Sequence, residues 1–192
     1  MILRELRPAL SLVILFTIFL GFILPEIFTG AMQLVLPWQA NGSLVTKNGE
    51  AVGSVLIGQN FTDAKYFAPR PSALSPNPYT QNTSGASNLA PTSAALLKSV
   101  QQRVAAYEKA YGPGPVPADA VTASGSGLDP DISLDNALRQ APAVAAARHL
   151  PAATVTALVN QLAQHSALGG VISTDRVNVL RLNLALDQLP PP

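Results

Sequence analysis

Cysteine is absent, which excludes disulfides, thiol chemistry and thiolate metal sites. Charge is scarce: Asp, Glu, Lys and Arg make up 12% of the chain and the net charge is +1. That balance leaves no electrostatic footprint for nucleic acid or for a polybasic membrane patch. Two histidines, His149 and His165, are too few and too isolated for a zinc site. No glycine is followed by lysine, so a phosphate-binding loop of the G-x-x-x-x-G-K-[ST] type is excluded.

What the chain does have is an uncharged run from Ala9 to Leu24, in which twelve of sixteen residues are Leu, Ile, Val or Phe. At membrane-insertion values those twelve sum to about −5 kcal/mol, which Ser11, Thr17 and Gly21 reduce only partly. A helix from Ala9 to Phe28 would span roughly 30 Å, one hydrocarbon core. Leu10, Leu15, Phe19, Gly21 and Leu24 are the anchor residues, and one small residue, Gly21, allows close packing on a partner helix. Arg4 and Arg7 precede the run, while no Lys or Arg follows it until Lys47. The positive-inside rule then keeps residues 1–8 in the cytoplasm, assigns 9–31 to the membrane and sends 32–192 across, with Pro37 and Trp38 near the outer interface. A cleaved signal peptide shares the basic start and apolar run, and Thr29-Gly30-Ala31 would serve as its cleavage site. The length of the run favours a retained anchor.

About 160 residues follow, enough for one domain with its own core. Sparse charge on an exported domain fits a surface covered by a partner. Ala51 to Gly58 is β-branched and reads as a buried strand. Pro69 to Ser93 holds five prolines and no periodicity, a long loop that is either disordered or functional. Leu97, Val100, Val104, Tyr107 and Tyr111 mark an amphipathic helix capped by Thr92 or Ser93 and stopped by Gly112-Pro113-Gly114-Pro115. A second helix begins near Ser133, with Pro142 kinking or restarting it. A third follows Pro151 and buries Val155, Leu158, Val159 and Leu162. Val177 to Leu186 places Leu180, Leu182 and Leu184 at period two, the pattern of an amphipathic strand. The expected class is α+β: one N-terminal transmembrane helix and one mixed extracytoplasmic domain with long Gly/Ser/Pro-rich loops.

Catalytic patterns are weak. Ser124-Gly125-Ser126-Gly127 lacks the first glycine of a nucleophile elbow, and Gly85-Ala86-Ser87-Asn88-Leu89 fails at its last position. An anchored cell-envelope serine hydrolase would need Ser87, Ser124 or Ser126 within reach of His149 or His165. Asp129 and Asp131 suit either a hard cation or a helix start. Asn41, Asn60 and Asn82 head N-x-[ST] triplets, which carry glycans only in a eukaryotic secretory context.

Several longer strings share one resemblance. They are Pro37 to Ser43, Gly58-Gln59-Asn60-Phe61-Thr62, Tyr66-Phe67, Arg70-Pro71-Ser72-Ala73, Ser84 to Leu89, Val121 to Pro130 with Ile132-Ser133, and Val177 to Asp187. Together with Leu6 to Leu10 they make the whole chain resemble the C-subunit family of the bacterial Kdp-type potassium-transporting P-type ATPases. One departure is Ala143, where members commonly carry Arg after the proline.

The resemblance implies a non-hydrolysing accessory subunit of a potassium importer in the bacterial inner membrane. Its partners would be a pore subunit that binds potassium and a P-type subunit that hydrolyses ATP, so ATP and K+ are handled by the complex. The family role is that of a catalytic chaperone raising ATP affinity; a cap on the potassium entrance is the alternative. The motif residues Gln59, Asn60, Arg70, Ser84, Ser87, Asn88, Thr122, Ser124, Ser126 and Asp129 would either hold the loops together or face the pore subunit. Gly85, Gly125 and Gly127 would supply tight turns.

Overall fold

The computed structural model describes residues 2–80, 82–166 and 174–190. The chain divides into two compact units, Met1–Val52 and Gly53–Pro192.

The first unit is dominated by one continuous helical rod. It consists of α1 (Ile2–Ile18), a π-helical turn (Phe19–Ile23) and α2 (Leu24–Val35). The stretch Arg4–Val35 is long and apolar enough to cross a membrane, and none of its most apolar window is covered by protein. The rod is longer than the 20 residues expected from the apolar run, because nothing in the flanks, including Pro8, breaks the helix. Pro25 does disturb it. Its ring crowds the carbonyl four residues back, and that residue is Gly21; the helix answers by widening over Phe19–Ile23. A short α3 (Pro37–Ala40) follows, and the Trp38 indole donates to the Leu44 carbonyl (2.8 Å). Strands β1 (Leu44–Lys47) and β2 (Glu50–Ser54) pair through Asn48-Gly49, both at positive φ (55° and 85°), the geometry of a tight hairpin turn. The strand expected over Ala51 to Gly58 thus ends at Ser54, whose hydroxyl accepts the Leu56 N–H, and Leu56 is 61% exposed.

The second unit is built on helices α4 (Ala94–Tyr111), α5 (Ala118–Val121), α6 (Leu134–Ala147), α7 (Ala152–Leu162) and α8 (Val179–Leu186). A minimal antiparallel pair, β3 (Asp131–Ser133) and β4 (Arg176–Asn178), aligns Ile132 with Val177. The core joins Phe67, Ile132, Val144, Val155, Val159, Val177, Leu182 and Leu186. The class is mixed α and β, as expected, with strands reduced to ties between helices.

The last element corrects the sequence reading: after Asn178 the chain is helical, not extended. Asn178 caps α8 by accepting the Arg181 N–H (3.1 Å). Val179, Leu182, Asn183 and Leu186 fall at i, i+3, i+4 and i+7 and with Leu180 form one buried face, opposite the exposed Arg181; the polar Asn183 within that face masks the helical pattern. The helix near Ser133 forms with Ser133 as its cap, accepting Asn136 N–H, and runs through Pro142 without a restart. In α7, Val155 and Val159 are buried and Leu158 and Leu162 partly so. Helix α4 matches its expected span and begins after Ser93. However, the Ser93 side chain makes no cap bond and Leu97 is 61% exposed, so only the C-terminal half carries the buried face.

Candidate functional site

The motif residues converge on loops that brace each other across long sequence separations. Gly58 donates to the Leu128 carbonyl (2.8 Å) and lies beneath the Tyr79 ring. A Cβ there would overlap that ring and stand 2.5 Å from the Asp129 carbonyl oxygen. Tyr79 itself has φ +59° and donates its hydroxyl to the Arg70 carbonyl (2.6 Å). Burial pushes its phenol well above the ordinary value, with the Asp129 charge adding to the effect. Arg70 reaches Asp129 at 2.6 Å, and the other Asp129 oxygen accepts the Asp131 N–H (3.1 Å). Asp129 is therefore a loop brace, and Asp131 pairs with Arg176 (3.0 Å). Among the described residues no group of three His, Asp or Glu could hold a metal.

The Ser/Gly stretch closes on itself in the same way. Ser124 is buried and its hydroxyl accepts the Gly127 N–H (2.9 Å); Ser126 accepts the Leu128 N–H (3.1 Å). The Ser126 carbonyl takes Gly85 N–H (2.8 Å) and the Ser84 hydroxyl (3.1 Å). Gly127 sits at φ +70° with the Gly85 carbonyl 2.8 Å from where a Cβ would stand, so both conformation and space require glycine. Ser72 donates to the Gly127 carbonyl (2.8 Å), tying in the Pro-rich loop. Thr122 turns back to the Ala118 carbonyl (2.7 Å).

Gln59 packs against Gly53 and is partly buried. Asn60, Ser87, Asn88 and Gly125 are exposed, with Asn88 at φ +51°. The anchor residues Leu10, Leu15 and Phe19 are exposed along the rod.

The histidines do not join the serines. Among the described residues neither His149 nor His165 hydrogen-bonds a serine hydroxyl: His149 sits in the turn after α6 at φ +57°, and His165 pairs with Asp175 (2.8 Å). That contact and the Ser166 N–H hold the Asp175 carboxyl below its ordinary value.

A set of buried carboxamides was invisible in the sequence reading. Asn183 on α8 takes the Phe67 N–H (2.8 Å) and returns a bond to the Phe67 carbonyl (3.0 Å). Gln140 on α6 does the same to Ala68, at 2.8 and 3.2 Å. Asn136, one turn before it, accepts from Gln140 and from the Tyr107 hydroxyl (both 2.9 Å) and donates to Asp119 (3.0 Å). Arg148 contacts the Lys65 and Leu186 carbonyls and Asp187, and its guanidinium lies 4.9 Å from the Tyr66 ring centre. Asn136 and Gln140 at i, i+4 beside Ala137 and Ala141 were the available signal: amides on an apolar face need a partner.

These features define a class: an α+β domain on a membrane-length helix, whose motif side chains turn toward one another to fix loop shape. The family model described as "K+-transporting ATPase, c chain" matches residues 6–188. The "Potassium-transporting ATPase KdpC subunit" of Allorhizobium ampelinum is 53% identical over 185 residues, covering 96% of both chains. Those of Gemmatimonas aurantiaca and Mycobacterium tuberculosis are 51% and 48% identical; the alignments cover 97% of this chain and 94% and 99% of theirs. The chain belongs to the KdpC family.

Proposed function

We propose that this chain is the non-hydrolysing accessory subunit of a potassium-importing P-type ATPase complex in the bacterial inner membrane. It is held by its N-terminal helix, with the short N-terminus in the cytoplasm and the α+β domain on the periplasmic face. Its partners are the pore subunit and the ATP-hydrolysing subunit. The observation that carries this reading is the near-full-length family match, supported by motif residues that brace a defined surface.

The domain raises the ATP affinity of the hydrolysing subunit by favouring one pump conformation, without touching nucleotide. The N–H groups of Gly85, Gly127 and Leu128 already have partners, so the Ser/Gly loop offers no array of free donors to a phosphate. A tenfold change in affinity needs only ~1.4 kcal/mol of coupling, within reach of a subunit interface.

The test is to remove the chain from the assembled pump and measure potassium-stimulated ATP hydrolysis. It is then restored as intact chain, anchor alone or domain alone. Recovery of activity and of a low KM for ATP only with the intact chain supports the coupling role. A KM for ATP that stays low without the chain, while potassium uptake falls, assigns it to the potassium entrance instead. Unchanged hydrolysis and uptake would refute membership in the pump.

A further inference from the structure

The π-helical turn leaves polar backbone exposed in the middle of the apolar helix. The Leu24 N–H, which would serve the Leu20 carbonyl in an α-helix, bonds the Phe19 carbonyl instead. The next donor along is residue 25, a proline without an N–H. The Leu20 carbonyl therefore has neither an α nor a π partner, and the Gly21 carbonyl loses its α partner to the same proline. Both residues lie within about 4 Å of the centre of the Ala9–Phe28 span at ~1.5 Å rise per residue. Hydrocarbon provides no donors, and such freed carbonyls in membrane helices are satisfied by neighbouring helices, hydroxyl side chains or water. Gly21 keeps the site open: nothing stands within 4 Å of where its Cβ would be, and without that Cβ a second helix can approach the backbone.

We infer that the Leu20–Gly21 notch is the docking point for a transmembrane helix of a partner subunit, which inserts a Ser, Thr or Asn side-chain donor toward these two carbonyls. The inference rests on the membership in a multi-subunit pump proposed above, and makes the anchor a specific contact with that pump. The run is charge-free and its nearest polar side chain, Thr17, lies one turn before the notch, which leaves the two backbone oxygens as the recognition feature.

The full chain is tested in the assembled complex. Pro25→Ala restores the donor to the ladder and removes the need for a partner, and Gly21→Leu puts bulk in the path of an approaching helix without a clash inside this chain. Each is expected to lower retention of the chain on the detergent-solubilised complex by about five- to tenfold, the scale of one interhelical hydrogen bond with its packing. Gly21–Phe22 is the only Gly-Phe step in the sequence, so carbonyl-13C glycine with 15N phenylalanine isolates the Gly21 carbonyl. Its resonance is expected to move downfield in the complex relative to the chain diluted in lipid. Wild-type retention by both variants would overturn the inference. So would a downfield position already present in the dilute chain, which assigns water or lipid, or one that tracks the chain's own concentration, which assigns a second copy. Failure of the wild-type chain itself to co-purify would instead refute the pump membership.

Discussion

Replacing Asn183 by leucine tests whether the domain is held by side-chain amides acting on the backbone. Asn183 satisfies both polar groups of Phe67, at 2.8 and 3.0 Å, in a fully buried position. Leucine has a similar volume and leaves both groups without partners. Each orphaned group costs about 1–3 kcal/mol. The apolar side chain returns about 1 kcal/mol through burial. The net loss is about 3 kcal/mol, a fall in Tm of about 6–12 °C for a domain of this size. Chemical denaturation of the full chain in mild detergent measures it. Asn183→Asp adds a signature that simple packing loss lacks. A buried carboxyl has a raised pKa and donates to the Phe67 carbonyl only when protonated. Its stability relative to wild type should therefore rise as the pH falls and disappear as the pH climbs through that raised pKa. Because Gln140 holds the adjacent Ala68, the double variant with Gln140→Leu should lose less than the sum of the singles. An Asn183→Leu chain within 1 kcal/mol of wild type, or strict additivity with Gln140→Leu, would refute the reasoning.

Three further outcomes follow from the geometry. Gly58→Ala should lose about 1–3 kcal/mol by overpacking, since its Cβ meets the Tyr79 ring and the Asp129 backbone; Gly125→Ala, with open space around it, should be close to neutral in the same denaturation assay. Asp175 has a folded pKa below its ordinary 3.8, so its contribution is complete at neutral pH and is lost as the pH falls through that lowered value; Asp175→Asn should flatten the acid limb of stability against pH. Tyr79, Tyr107 and Tyr111 have raised pKa values through burial, so an alkaline ultraviolet titration should show these three ionising above the ordinary phenol range, with stability falling as the pH rises above 10.

The helices with one apolar stripe were legible in the sequence because a half-buried helix writes its geometry into its pattern. Helix α6 announced its start at Ser133 and α7 its buried valines. Helix α8 was misread because it is only eight residues long and carries Asn183 on its buried face, so Leu180, Leu182 and Leu184 fit a period of two as well as any other. The Asn48-Gly49 hairpin carried a sequence signal that went unread, the Asn-Gly turn dipeptide itself. At the candidate site, Arg70, Ser84, Gly85, Ser124, Ser126, Gly127 and Asp129 were singled out as polar loop residues, and the structure gathers them. Their long-range pairings were not legible, since these join positions more than forty residues apart, as in Ser84 to Ser126. Phe67, the carboxamides and Arg148 were missed for a related reason: a buried amide and a solvated one look alike until the backbone it serves is known.

The pair of hydrogen bonds between Asn183 and Phe67 also imposes an order on assembly. Phe67 leaves the ribosome 116 residues ahead of its clamp. At about 5–20 residues per second that is an interval of roughly 6–23 s, long compared with the microseconds in which isolated helices form. Throughout it, the first half of the domain has no final resting place. The loop between the hairpin and α4 is completed by the last helix to be made, so this domain closes from its C-terminal end.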